Sequence, residues 1–172
     1  MYKISNIKIS LKIEEIGLNT VKKILKKKNI FFFEKNNYLI LKDIYVYVFF
    51  KSKSVSKHVN VTKINNIEKI KSAISFLKET LNEINVKIIS ETIDNITATL
   101  NYQKEINLKN LANDLSLFKN IKFNQEKFPG LFLKTKYATL IIFHTGKINI
   151  VGFKDPNKLP KIIENTIKLI EK

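Results

Sequence analysis

The feature that most constrains this chain is that its pattern occurs twice. KISNIKISLKIEEIGLNTVKKIL, beginning at Lys3, is answered by TIDNITATLNYQKEINLKNLANDL, beginning at Thr92. Each carries an Asn-Ile pair inside an alternating run and then a helical pattern, and Asn6 and Asn95 stand 89 residues apart. NIFFFEKNNYLILK from Asn29 is answered by NIKFNQEKFPGLFLK from Asn120, and DIYVYVFFK from Asp43 by KYATLIIFH from Lys136. HVNVTK from His58 is answered by NIVGFK from Asn149, an offset of 91. INNIEKIKSAISFLKETLNEI is answered by the closing DPNKLPKIIENTIKLIEK. Internal repetition of this kind means one supersecondary unit used twice. The expected copies are residues 1–88 and 89–172, each running strand, helix, several strands, helix. One copy is too small to cover its own sheet well, so the two are expected to join edge to edge under their helices as one domain.

The periods agree with that order. Ile64, Ile67, Ile70, Ile74, Leu77, Leu81 and Ile84 recur at steps of three and four, which gives one apolar helical stripe. Leu159, Ile163, Ile167 and Ile170 repeat it after an Asp155-Pro156 start, and Pro160 places the onset of regular helix near Leu159. In KINIVGF the period is two. Ile148 and Ile150 share one face, and Lys147, Asn149, Val151 and Phe153 are expected on the other. Gly146 between strands reads as a hairpin turn.

Composition removes several classes of function. Apolar residues make up 44%, enough for a core, so wholesale disorder is excluded. With no cysteine there is no disulfide, thiol nucleophile or thiolate metal site. His58 and His144 lie far apart and outside any zinc-ligand spacing, so no metal and no cofactor are expected. No Gly-rich phosphate loop or catalytic triad spacing occurs, so no enzyme is expected. The alternating N-terminus lacks a signal-peptide core and no apolar run reaches membrane-span length, so an intracellular protein is expected: nuclear, or cytoplasmic in an archaeon or a cytoplasmic virus. Net charge is +16, and all 31 basic residues are lysine. Together with abundant Ile and Asn this fits AT-rich coding, as in a large DNA virus, an archaeon or an AT-rich eukaryote, so the basicity is a hint of nucleic-acid binding and not a proof.

The second copy carries specific motifs. They are Phe128-Pro129-Gly130-Leu131, an apolar strand ending in Phe143, the Gly146-Lys147 turn, and an alternating strand ending in Gly152 and Lys154. Upstream, DNIT presents Asn95. This resembles the core domain of the TATA-binding protein family over essentially the whole chain, specifically in the second copy and weakly in the first. The resemblance implies an α+β saddle: two pseudo-symmetric repeats forming one curved ten-stranded antiparallel sheet, with four helices on the convex face. It also implies a transcription initiation factor that binds the minor groove of AT-rich promoter double-stranded DNA. Phenylalanine wedges kinking the duplex are a property of that family and enter only through the resemblance.

The DNA-binding residues so implied are Asn6, Phe50, Asn60, Asn95, Thr97, Phe128, Lys134, Ile141, Phe143, Lys147, Asn149, Val151 and Lys154. Reading A·T in the minor groove needs short donors for adenine N3 and thymine O2 on a face without acidic obstruction. Asn95, Thr97, Thr99 and Asn149 supply such a face, Phe128 and Phe143 the paired wedge, and Lys134, Lys147 and Lys154 the phosphate contacts. In the first copy Asn36 falls where the family has its first wedge phenylalanine, with Phe33 three residues earlier; the second wedge falls on Phe50, or on Phe49 if the register slips by one. Lys8, His58 and Asn60 replace smaller or apolar groove residues. Glu126, before Phe128, matches an acidic residue that contacts the B-type initiation factor in the family, so transcription factor IIB-like or polymerase-associated proteins are the expected partners, with the chain a monomer on DNA.

Two other readings stay open. One is an interaction module of the same fold with reduced or no specific DNA binding, favoured by Lys8, Asn36 and His58. The other is a substrate-binding module of a nucleic-acid enzyme, which two copies without a further domain make the weakest.

Overall fold

A computed structural model of the chain describes residues 1–42, 45–116 and 120–171. Residues 43 and 44, which open the run expected from Asp43, lie outside the described residues. In chain order the elements are β1 (Tyr2–Gly17), α1 (Leu18–Lys27), β2 (Phe32–Lys35), β3 (Tyr38–Lys42), β4 (Val46–Phe50), β5 (Val55–Ile64), α2 (Glu68–Asn82), β6 (Ile88–Asn101), α3 (Leu108–Asp114), β7 (Ile121–Lys122), β8 (Gly130–Lys134), β9 (Thr139–Phe143), β10 (Lys147–Phe153), a 3-10 turn (Pro156–Lys158) and α4 (Leu159–Ile170). Ten strands and four helices among the described residues make the α+β class read from the sequence. The chain divides into two units: a first of Asn6–Asp94, and a second of Met1–Ser5 with Asn95–Lys172.

In the first unit the hydrogen-bonded order is β2-β3-β4-β5-β1, all antiparallel. Alternation sends Ile7, Ile9, Leu11, Leu39, Leu41, Phe49, Val59 and Val61 to one face, where all are buried. Val21, Leu25, Leu77 and Leu81 of α1 and α2 are buried with them. The second unit repeats the plan with β6-β10-β9-β8-β7. Here Ala98, Leu131, Leu133, Leu140, Ile142, Ile148 and Ile150 are buried, with Leu108, Leu111, Leu159 and Ile162 from α3 and α4. Each of these buried Val, Leu, Ile or Phe side chains contributes roughly 1.5–3 kcal/mol on leaving water.

Register corrects three expectations. Phe153 does not share a face with Asn149 and Val151. The β10–β6 pairing slips between Val151 and Phe153, with Gly152 at φ +86°, so a bulge turns Phe153 inward to 2% exposure. The offset of 91 between HVNVTK and NIVGFK is also replaced. Asn60 pairs with Ser10 and Val48, as Asn149 pairs with Thr99 and Ile141, so Asn60 and Asn149 are equivalent, at the same 89 residues that separate Asn6 from Asn95. Finally, the stripe from Ile64 to Ile84 is not one helix. Ile64 ends β5, Ile67 is 44% exposed ahead of α2, and Ile84 follows the helix C-terminus. The expected turn at Gly146 is present at φ +79°, where an added Cβ would stand 2.2 Å from the Lys104 carbonyl oxygen.

Lys22 of α1 and Lys51 after β4 both reach Glu34 of β2, at 2.5 and 3.2 Å. The hydrogen bond from Lys22, then that from Lys51, holds the Glu34 carboxyl below the ordinary glutamate range. A carboxyl lowered on folding stabilises the fold above its unfolded pKa and loses that contribution as pH falls through its folded value. Glu34→Gln is therefore expected to lower the urea midpoint slightly at pH 7, and the gap from wild type to close as pH falls below about 4.3. Urea titrations of both proteins between pH 7 and pH 3 check this; a gap independent of pH would sink it.

Candidate nucleic-acid interface

The face of each sheet opposite its helices is built from the alternate residues. In the second unit these are Thr97 and Thr99 of β6, Asn149 and Val151 of β10, Thr139, Ile141 and Phe143 of β9, and Phe132 and Lys134 of β8, as the cross-strand pairs require. All but Lys134 are half-buried, and none is acidic. The sequence-read residues Asn95, Thr97, Ile141, Phe143, Asn149 and Val151 thus come together in one unit. Lys134, Lys147 and Lys154 are exposed at strand ends.

Hydrogen bonding orients the amides. Asn95 Oδ1 accepts from the Gly152 backbone N–H at 2.9 Å, the donor being the bulge residue itself. Its Nδ2 makes only a long contact of 3.4 Å to Thr97 Oγ1. Thr99 donates to Asn149 Oδ1 at 3.3 Å. In the first unit Asn6 Oδ1 accepts from the Lys63 N–H at 2.9 Å and the Thr62 hydroxyl at 3.2 Å. Lys63 lies at φ +67°, so the same bond is made to the same kind of bulge 57 residues further on in both units. With their carbonyls engaged, Asn6, Asn95 and Asn149 are left with amide donors to offer. Asn60 is less fixed, because its Oδ1 shares the Ser10 hydroxyl (2.7 Å) with the Asp94 carboxylate, which also pairs with Lys8 at 3.2 Å. A hydroxyl has one proton and serves one acceptor at a time.

Phe128, 36% exposed, stands over the end of the second unit's face with its ring 4.9 Å from Phe132 and 5.8 Å from Phe143. Gly130 makes room for it: a Cβ there would meet Phe128 Cε1 at 2.8 Å and Phe143 Cε1 at 3.1 Å. The turn ahead of it is closed by Asn124, whose carbonyl accepts from Phe128 N–H at 3.0 Å, and Glu126 is exposed on that turn. Among the described residues no three His, Asp or Glu side chains gather to hold a metal, and no helix is long and apolar enough to cross a membrane.

Residues 90–172 match the family model described as "Transcription factor TFIID (or TATA-binding protein, TBP)". The TATA-box-binding protein of Thermoplasma volcanium is 28% identical over 122 residues, 68% of this chain and 66% of that protein. That of Archaeoglobus fulgidus is 31% identical over 114 residues, 63% of this chain and 62% of that protein. The chain therefore matches just under two thirds of these relatives' length. The solved structure of Methanococcus jannaschii TBP superposes with a TM-score of 0.77 at 24% identity, covering 99% of this chain and 98% of that one, and so shows the fold class read from the sequence. By family model, by relatives and by fold, the chain is similar to the TATA-binding proteins.

The family model covers Asn95–Lys172 of the second unit and the last residues of the first, and the first unit departs further from the motifs of the resemblance. Asn36 is exposed in the β2–β3 turn and Phe33 is half-buried under Lys42, whose Nζ lies 5.0 Å from its ring, so neither replaces Phe128. The register settles the other choice. Phe49 is fully buried, and Phe50, 36% exposed, is the outward residue. Its cross-strand partner is Tyr38, whose ring meets Phe50 edge-on at 5.3 Å. Tyr38 occupies the position of Gly130, which pairs with Phe143. The sequence reading missed Tyr38 and Phe132. A strand pairing of Tyr38 with Phe50 was the signal that would have found the former.

Gly130→Ala is expected to push the Phe128 ring off its two neighbours while leaving the sheet intact. Stability should fall by about 1 kcal/mol, the low end for overpacking, because a half-exposed ring can move. Ring-proton shifts of Phe128, Phe132 and Phe143 measured by NMR should lose their mutual ring-current displacement; unchanged shifts would contradict the packing argument.

Proposed function

We propose that the protein is a TATA-binding-protein-like transcription initiation factor, that its two units are copies of one repeat, and that their open faces bind the minor groove of AT-rich promoter DNA. The observation that carries this is the orientation of three asparagines. Asn6, Asn95 and Asn149 engage their carbonyl oxygens within their own sheets and offer amide donors outward. In the minor groove A·T pairs show only acceptors, whereas G·C adds the guanine 2-amino donor, so outward donors favour A·T and oppose G·C. Thr97, Ile141 and Val151 leave the face low enough for close approach. The Phe128/Phe143 and Tyr38/Phe50 pairs supply apolar wedges to offset unstacking, which costs roughly a few kcal/mol per step. Exposed Lys134, Lys147 and Lys154 meet phosphates, which adds affinity without sequence information. The duplicated chain acts as a monomer on DNA. It recruits IIB-like or polymerase-associated partners through the exposed turn at Glu126, in the intracellular compartment where transcription occurs. No reaction is catalysed and no cofactor is needed.

The test is fluorescence-detected binding with end-to-end energy transfer on an AT-rich duplex and a GC-rich control across a salt series. AT-selective binding with a distance change is expected. Phe128→Ala with Phe143→Ala should abolish the distance change with the fold intact by circular dichroism. Asn149→Asp, which replaces a donor by an acceptor, should weaken AT binding by about 1–3 kcal/mol. Lys134→Ala should weaken all duplexes equally and reduce the log–log salt slope by about one.

A second reading has one observation in its favour. The first unit's face carries the Lys8–Asp94 ion pair and the exposed His58, more polar than a groove contact requires. It assigns the same fold to protein binding. Steeply salt-dependent binding without AT selectivity, unaffected by the phenylalanine changes, would favour it over the first.

A further inference from the structure

On the helix side of the second unit, away from the open face, α4 leaves a groove of about 490 Å³ against the β8–β9 turn. Its floor is apolar: Leu140, Ile162 and Leu169, walled by Tyr137. Its rim is basic, with Lys134, Lys136 and Lys168, and no carboxylate lines it. Lys168 is held by Glu164 at 2.7 Å on the outer surface of α4, while Lys136 lies 5.4 Å over the Tyr137 ring and makes no ion pair among the described residues.

The first unit shows why the space is open. By strand register Leu140 is equivalent to Tyr47, since Thr139 pairs with Val151 as Val46 pairs with Thr62. On the helices the buried Ile162, Ile163 and Thr166 match Ala73, Ile74 and Leu77, which makes Asn165 the counterpart of Phe76. In the first unit those two positions are filled by two aromatic rings packed against each other, Tyr47 and Phe76, with centroids 5.1 Å apart and tilted at 39°. Leu140 and Asn165 are much smaller, so the second unit has room for about one aromatic side chain where the first holds its own.

We infer that this groove is a docking site for an acidic polypeptide segment that inserts one aromatic side chain between Tyr137 and α4. Charge complementarity chooses the partner: carboxylates flanking the anchor meet Lys134 and Lys136, which make no ion pair among the described residues, while Lys168 is already held by Glu164. Leu140 faces the helices while Thr139 and Ile141 face the open side, so a peptide here leaves the open face clear. The site shares only Lys134, at the end of β8, with the minor-groove reading and otherwise stands apart from it.

A phage-displayed library of nine-residue peptides, with Phe fixed at the centre and flanks drawn from Asp, Glu, Ser and Gly, is selected against the full chain. Enriched peptides are then measured by fluorescence anisotropy against wild type, Asn165→Phe and Lys136→Glu, with thermal melts confirming that each variant folds. Acidic flanks should enrich. Asn165→Phe, which restores the ring of the first unit, should weaken binding by about tenfold or more, and Lys136→Glu by several-fold. Failure to enrich would falsify the site. So would peptides that bind Asn165→Phe as tightly as wild type, or peptides displaced by an AT-rich duplex, since the lysines would then be taking any polyanion.

Discussion

The bond from an asparagine carbonyl to the amide of a bulged residue organises both halves of this protein. Asn95 takes the Gly152 amide and Asn6 the Lys63 amide, each at 2.9 Å and each with the donor at positive φ. A bulge leaves one amide without a ladder partner, and an unpaired amide in a sheet is costly. The asparagine repairs that loss and is itself fixed by doing so. The extra residue also reverses the alternation that follows it, so Phe153 and Ile64 turn into the core directly after Val151 and Thr62 on the open face. One local device thus closes the core and aims a donor outward.

The two units reach similar surfaces by different substitutions. In the second, Gly130 has no side chain, and the ring that meets Phe143 comes from the turn at Phe128. In the first, Tyr38 supplies its own ring from the strand, and the turn residue at the corresponding place, Asn36, has no ring to contribute. An aromatic at Gly130 together with Phe128 would not fit, because even a Cβ comes within 2.8 Å of the Phe128 ring. The glycine and the turn phenylalanine are therefore coupled, and a chain that loses one is free to lose the other. The donor set is less symmetric. Ser10 replaces Thr99 and divides its proton between Asn60 and Asp94, so the first unit presents a softer pattern than the second.

The legible and illegible parts of the sequence differ for physical reasons. Strand–helix order, the hairpin at Gly146, the α+β class and the open-face set from Thr97 to Val151 follow from period two and from glycine's freedom, which are local. The bulge at Gly152 was not legible. Phe153 continues a regular alternation, and only the slip in pairing with Ile96 turns it inward. The offset of 91 has another origin: both units carry the bulge 57 residues after their asparagine, so the spacing stays at 89, and only the pairing of Asn60 with Ser10 and Val48 reveals it. The stripe that ran through Ile64 and Ile67 failed differently. Both residues fit a helical period, but β-branched Ile64 is claimed by its cross-strand pair with Ile7. Tyr38 was missed because an aromatic beside a turn is ordinary until its partner across the strand is known.

Period two also explains how the helix side of such a sheet can change without altering its open face. Along β9, Thr139, Ile141 and Phe143 look one way and Leu140 and Ile142 the other. Changing an aromatic to Leu at position 140 alters only what lies beneath α4, and Asn at 165 enlarges the same space from the helix side. Neither change moves Asn149, Ile141 or Phe143, since β9 is held by its ladder to β8 and β10. The core tolerates the missing rings because the space opens to solvent at the β8–β9 turn, so no sealed cavity is left to destabilise it. A sheet with a covered face and an open one can therefore change beneath its helices while the open face keeps its residues, as Leu140 and Asn165 beside Tyr47 and Phe76 illustrate.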